Sequence, residues 1–385
     1  MSLNHGTDRY QVTKNYICGN YTNGHGGGIG AFGNNDFGLI EDNKIIFNQS
    51  FMQGAPVSGG GIAIVGAPDP AAVNPGLGAG AGNVKIISNL IQGNNAGAGD
   101  GAGIVLSGIN GEDIRSTGTS NWNRVDLENN IIVNNIAGLA GGGVALKDAA
   151  LVHMINNTIA NNDSTATAGL AFPAGSPNIS VNQPAGVVSY AHSPALDAAM
   201  PATRRLRAFH NFSNPTMINN IIWHNRTFHF EIDQISAPAI YGLVPDIGTG
   251  GLPLFDDLGV LGYNGRLNPL SSVLTDTTGY DASNISLDPA FVKGYFNGDA
   301  GQTIQQLETT TSITVQPAFD EGGNFIDIRF GPHQPTGDYH LTTTSPAIDS
   351  GNGAVLSSYP EVAQDIDNDP RPLGATVDIG VDEAQ

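Results

Sequence analysis

One cysteine, no long apolar run and few charges set the first limits on this chain of 385 residues. Cys18 stands alone, so no disulfide can form within the chain and the fold must rest on its own core. No apolar run approaches the about 20 residues that a membrane-spanning helix requires, so no transmembrane segment is expected. The opening residues MSLNHGTDRY lack the apolar stretch of a signal peptide. Basic residues are scarce: 15 Lys and Arg stand against 35 Asp and Glu, a formal net charge of −20. Phosphate recognition rests on clustered Lys and Arg, so no nucleic-acid partner is expected. Helix-favouring stretches are missing too, because glycine (52 residues), asparagine and β-branched residues alternate throughout.

What is present is a repeat. The pattern apolar-x-x-Asn-x-Ile-x-x-Asn begins at Val12, Ile40, Ile86, Leu127, Met154 and Met217. Its first asparagine is Asn15, Asn43, Asn89, Asn130, Asn157 and Asn220; its second is Asn20, Asn48, Asn94, Asn135, Asn162 and Asn225. The smallest intervals, 28 residues (Asn15 to Asn43) and 27 (Asn130 to Asn157), suit one coil of a parallel β-helix and are too short for a propeller blade. Three short strands and three bends per coil are expected, with coils about 4.8 Å apart. Asparagines at equivalent bends then stack, each amide bonding the next, and the isoleucine column becomes dry core. The handedness preference of parallel crossovers makes the solenoid right-handed.

A glycine-rich bend and an apolar strand follow most copies: GGGIGAF (26–32), GGGIAIV (59–65), GAGIVL (101–106), GGGVAL (141–146) and AGLAF (168–172). The formal G-x-G-x-x-G at Gly28, Gly30 and Gly33 belongs to this series. No helix is expected after it, which excludes a dinucleotide loop. Longer coils carry insertions at 66–82, 107–121 and 173–215, all read as following the glycine-rich strand, so they should project side by side from one corner. Loops on a rigid scaffold carry binding and catalysis. The candidate ligand-binding residues there are Arg115, Tyr190, His192, Arg204, Arg205, Arg207 and His210, with TRRLRAFH (203–210) the densest basic cluster; Asp69, Glu112, Asp113 and Asp197 are further polar groups.

Beyond Asn225 the pattern gives way to NISLDPAFV (284–292), GDYHLTTTSPAIDSG (337–351) and DIDNDPRPLGATVDIGVDE (365–383). In these phrases the chain resembles secreted or surface bacterial right-handed β-helix proteins of the pectin-lyase-like superfamily, and more narrowly those with a choice-of-anchor Q type of C-terminal region. The stretch 292–337 departs from that pattern, being longer than is usual. The resemblance implies an extracellular or cell-surface location, and a fold whose members bind or degrade acidic polysaccharides or act as adhesins. Alternating Asp365, Asp367 and Asp369 form a candidate Ca²⁺ site, although Pro370 and Thr376 break any EF-hand pattern.

The expected architecture is all-β: a single-stranded right-handed parallel β-helix over 1–230, continued by irregular C-terminal coils and a cap over 231–385 of the same solenoid. The repeat begins at Val12 with little before it, so the remainder of a longer parent chain, or a partner, is expected to cover the first coil. The expected function is binding of an extracellular polysaccharide or other surface ligand through the insertion corner, without catalysis. The alternative is a polysaccharide lyase or glycoside hydrolase on an acidic polysaccharide, for which Asp126 and Glu128 flank Leu127 without forming a known signature.

Overall fold

Each copy of the repeat folds as two short strands hinged at its first asparagine, with a third short strand starting after its second. In the first copy these are Gln11–Thr13, Tyr16–Cys18 and Tyr21–Thr22. The computed structural model describes residues 1–52, 54–66, 76–236, 240–294 and 337–384. Four stacked parallel sheets result. Sheet A runs from Ser2–Leu3 through Ile29–Phe32, Ile62–Val65, Ile104–Ser107, Val144–Lys147 and Val187–Tyr190 to Leu258–Leu261. Sheet B holds Gln11–Thr13, Gly38–Glu41, Val84–Ile87, Val125–Glu128, Val152–Ile155 and Thr216–Ile218. Sheet C holds Tyr16–Cys18, Lys44–Ile46, Leu90–Gln92, Ile131–Val133, Thr158–Ala160, Ile221–Trp223 and Val273–Leu274. Sheet D begins at Tyr21–Thr22 and ends in an antiparallel hairpin of Arg226–Asp233 with Ile240–Pro245. The chain is an all-β parallel β-helix.

A coil therefore carries four strands where three were expected. The extra strand is only two residues long in most coils, as at Gln49–Ser50 and Asn95–Ala96, too short to leave a periodic signal. Register is strict: Ile17, Ile45, Ile91, Ile132, Ile159 and Ile222 pair one above another in sheet C. From Ile45 to Ile222 this column is fully buried, each side chain contributing about 1.5–3 kcal/mol of hydrophobic stabilisation.

Both asparagine columns form continuous ladders. Asn89 donates its backbone N–H (3.1 Å) and its Nδ2 (3.0 Å) to Asn130 Oδ1. The same Nδ2 also reaches back to the Ile40 carbonyl at 2.9 Å. This unit repeats along both columns, so each buried amide is satisfied by its neighbours. The ladders continue past the recognisable repeat with substitutes. Ser272 Oγ accepts the Asn220 N–H, and Asn284 accepts that of Ser272. Asp257, well past the last copy of the repeat, takes both Asn225 donors on Oδ1.

The glycine-rich bends are needed for two different reasons. The first glycine sits at positive φ, as at Gly59 (φ 73°) and Gly141 (φ 62°). The third, at Gly28, Gly61, Gly103, Gly143 and Gly186, lies so near the following coil that a Cβ on Gly143 would fall 2.6 Å from the Gly186 carbonyl. AGLAF does not belong to this series. Gly169–Ala171 is a 3₁₀ turn, and the sheet A strand of that coil is Val187–Tyr190, preceded by Gly186. The segment read as one insertion thus divides: one part precedes that strand and the other, 191–215, follows it.

The C-terminal phrases lie over the outer faces of sheets B and C as a cover. Tyr339 and Val381 pack on Ile131, Val133 and Ala160 of sheet C. Val355, Val362 and Val377 pack on Ile155 of sheet B. Strand Asp338–Leu341 pairs antiparallel with Phe291–Lys293.

Candidate functional site

The loops between sheets A and B meet at one corner; of the third insertion only 191–215 is among them, because the rest precedes strand Val187–Tyr190. Ile114 from the second insertion and Trp122 just after it share a buried cluster with Leu196, Met200 and Leu206 from the third, and Ala150 and Leu151 from the short loop between them complete it. Trp122 meets Phe209 edge to face at 5.3 Å. Part of the first insertion, 67–75 with Asp69, lies outside the described residues.

Two short 3₁₀ helices are pinned to this cluster by one buried residue each. Ile114 anchors Glu112–Arg115, and Leu206 anchors Arg204–Phe209. Burying Leu206 turns Arg204, Arg205 and Arg207 outward, and all three are exposed with no acidic partner among the described residues. Arg115 is also exposed but pairs with Glu112, three residues before it. The fixed charge on this corner is therefore a cationic triplet on a rigid base.

The other candidates of this corner serve the scaffold. His192 is enclosed: its Nε2 donates to the Phe209 carbonyl at 2.9 Å and its Nδ1 faces Asp148 at 3.5 Å. Burial favours a neutral Asp148, but the neighbouring His192 ring and the Ser193 N–H, which donates to it at 2.7 Å, outweigh it and hold the carboxyl below its ordinary value. His210 contacts Asp197 at 3.2 Å, and Asp197 also accepts the Asn211 N–H, closing the loop on itself. Tyr190 lies on the outer face of sheet A and donates to Asp100 at 2.6 Å, while Lys147 reaches the same carboxylate at 2.5 Å. Burial, then the Asp100 charge, pushes the Tyr190 hydroxyl well above its usual range, which unfits it as a base at neutral pH.

At the C-terminal end, Asp365, Asp367 and Asp369 do not form a ligand set. Asp365 Oδ1 accepts the N–H groups of Asp367 and Asp369 (both 2.8 Å), and its Oδ2 accepts that of Glu383 (3.0 Å), so this carboxylate shapes a turn. Asp367 faces His340 instead, Nε2 to Oδ2 2.7 Å.

Sequence reading passed over Asp126 and Glu128 too quickly. Strand alternation places both on the outer face of sheet B, beside Lys85 and His153 of the neighbouring coils. Asp126 is held by Arg124 (3.0 Å) and His153 (2.9 Å). Glu128 is buried, its Oε2 has no hydrogen-bond partner among the described residues, and its carboxyl is pushed up to about 7, chiefly by burial and next by Asp126. Segment 355–363 closes over this face, with Tyr359 against His153 (ring centroids 5.2 Å) and Glu361 paired to Lys85.

Sequence reading also missed the doubled asparagines. In Asn129-Asn130, Asn134-Asn135, Asn156-Asn157, Asn161-Asn162 and Asn219-Asn220 the second member enters a ladder. The first stands at positive φ and points to the C-terminal cover. Asn134 and Asn161 donate to the Tyr339 hydroxyl, Asn129 to the Gln364 carbonyl, Asn156 to those of Asp378 and Gly380, and Asn219 to that of Asn352. The doublets occur only in the later copies, so they mark in sequence where the cover docks.

Among the described residues no helix is long and apolar enough to cross a membrane. No family model, curated protein or solved structure matches the chain.

Proposed function

We propose that this chain is a secreted or cell-surface β-helix protein that binds a carboxylate-bearing extracellular polysaccharide at the corner built by its insertions, without cleaving it. The observation that supports this is the triplet Arg204, Arg205 and Arg207: exposed, without acidic partners among the described residues, and fixed through Leu206 to a buried cluster. Guanidinium groups pair with carboxylates in bidentate fashion, and a triplet on a rigid base loses little entropy on binding. In a chain of net charge −20, unpaired arginines grouped at one place favour recognition of an anion there. Among the described residues, the candidate bases of this corner, Tyr190, His192 and His210, are held in internal contacts.

A second reading, glycoside hydrolysis, rests on Asp126 and Glu128. A carboxylate paired with Arg124 and His153 beside one raised to about 7 suits the division of roles that acid-assisted cleavage uses. Both groups are buried under segment 355–363, which leaves a sugar no approach in this conformation.

The test is a panel of uronate-containing polysaccharides, scored for binding, reducing ends and unsaturated products. The expected result is binding without product, lost on replacing Arg204, Arg205 and Arg207 together by alanine. Product formation abolished by Glu128→Gln would replace the binding reading with the hydrolase.

A further inference from the structure

We propose that His340, Asp367 and Asp382 bind a first-row divalent transition ion of the Zn²⁺ class, which clasps the C-terminal cover. The three side chains each bring one ligand atom within 4.8 Å of the others, and they are the one such group among the described residues. They come from three separate stretches: strand Asp338–Leu341, the Asp365–Asp369 turn and the chain end. A shared ion would therefore tie together parts of the cover that the sequence separates.

The imidazole supplies the independent argument. Its Nδ1 lies 2.5 Å from Asp338 Oδ1, so the proton on that nitrogen is held by a carboxylate. Nε2 then stands beside the Asp367 and Asp382 carboxylates. It is sealed from solvent and has no aligned hydrogen-bond partner; the 2.7 Å approach of Asp367 lies off the hydrogen-bonding direction. Positive charge is called for between this nitrogen and the two carboxylates; a proton on Nε2 would meet no aligned acceptor, whereas an ion bound there is shared with both carboxylates. A histidine oriented through its far nitrogen by a carboxylate, with its near nitrogen directed at oxygen ligands, is the arrangement of metal-bound histidines. Asp382 is more than nine-tenths buried and accepts the Leu341 N–H at 2.7 Å through Oδ2, so its position is fixed in advance.

The donor set selects the ion. Ca²⁺ takes six to eight oxygens, whereas one imidazole and two carboxylates suit Zn²⁺ and its neighbours and leave a position open. A cleft of about 350 Å³ lined by His340, Asp367, Tyr339 and Leu90 lies in front of the group and gives that position access to solvent.

The experiment titrates the full, tag-free chain, stripped by a chelator, with Zn²⁺, Co²⁺ and Ca²⁺. Stoichiometry is read by calorimetry, ligand geometry by the visible Co²⁺ spectrum, and stability by melting temperature. The proposal expects one Zn²⁺ per chain, a raised melting temperature and a Co²⁺ band characteristic of mixed nitrogen and oxygen ligands. His340→Ala and Asp367→Asn should each abolish these, and Asp338→Asn should weaken binding by about 10-fold or more. Asp367 is exposed and accepts no backbone hydrogen bond among the described residues, so its variant keeps the test valid if His340→Ala loosens the cover. No Zn²⁺ binding, binding unchanged in both variants, or equal affinity for Ca²⁺ would overturn the proposal.

Discussion

In the coils, a buried asparagine amide meets the same amide one coil away, over and over; in the C-terminal cover, Arg371 and Glu383 meet once, at 3.2 Å, both fully buried. Arg371 also donates to Asn129 Oδ1 (2.5 Å) and to the Gly380 carbonyl (3.0 Å), and Glu383 accepts the N–H of Leu373 and Asp378. Repetition lets the coils satisfy polar groups with neutral amides, which are inexpensive to bury when paired. The cover has no neighbour of its own kind, so it relies on unique contacts with buried charge among them, which the coils use only locally, as between Arg226 and Asp163. Such contacts break all at once when one partner is lost.

That difference predicts an order of damage. Arg371→Ala strands the Glu383 carboxylate and removes the grip on Asn129, so about 3–5 kcal/mol of cover stability should be lost. Limited proteolysis should then cut 337–384 while leaving the coils intact; equal loss from both regions would break the distinction. Asn157→Ala interrupts one ladder between Asn130 and Asn220 and leaves buried donors unmatched, at a cost of about 3 kcal/mol. Denaturant unfolding should show it, whereas Asn15→Ala, at the exposed end of the same ladder, should lose only about 0.5 kcal/mol.

Acidity sharpens the comparison where cover and coil meet. The Glu128 carboxyl stands at about 7 in the fold against 4.5 ordinarily, through burial first and Asp126 second. An acid raised by folding stabilises fully below its unfolded pKa, and that contribution is lost as pH climbs through the folded value. Stability should therefore fall between roughly pH 4.5 and 7, by about 1–3 kcal/mol, and Glu128→Gln should flatten that part of the profile. The smallest effect belongs to the corner. Arg204→Ala should change stability by less than about 0.5 kcal/mol, because its side chain is exposed and has no partner among the described residues.

Legibility in the sequence followed the same division. Ladder positions and the isoleucine column could be read because each coil repeats the same constraint. The fourth strand could not, since Gln49–Ser50 is too short for a period. AGLAF imitated the glycine signature in letters, but Gly169 has nothing within 4 Å where a Cβ would stand, so close coil contact never constrained it. The partners of Asp126, Glu128 and the doubled asparagines were out of reach for another reason. Contacts such as Asn129 to Arg371 join residues 242 apart in a region without repetition. The arginine triplet was visible as a cluster, yet only the burial of Leu206 separates its outward charges from the enclosed His192.

Hydrogen exchange with and without a uronate polysaccharide tests the functional claim most directly, because corner and cover are separate stretches of chain. Added protection is expected across 203–210 and 112–116, with 355–363 unchanged. Protection or opening confined to 355–363 and the strand Val125–Glu128, with no change at the corner, would contradict it and move the site to the carboxylate pair.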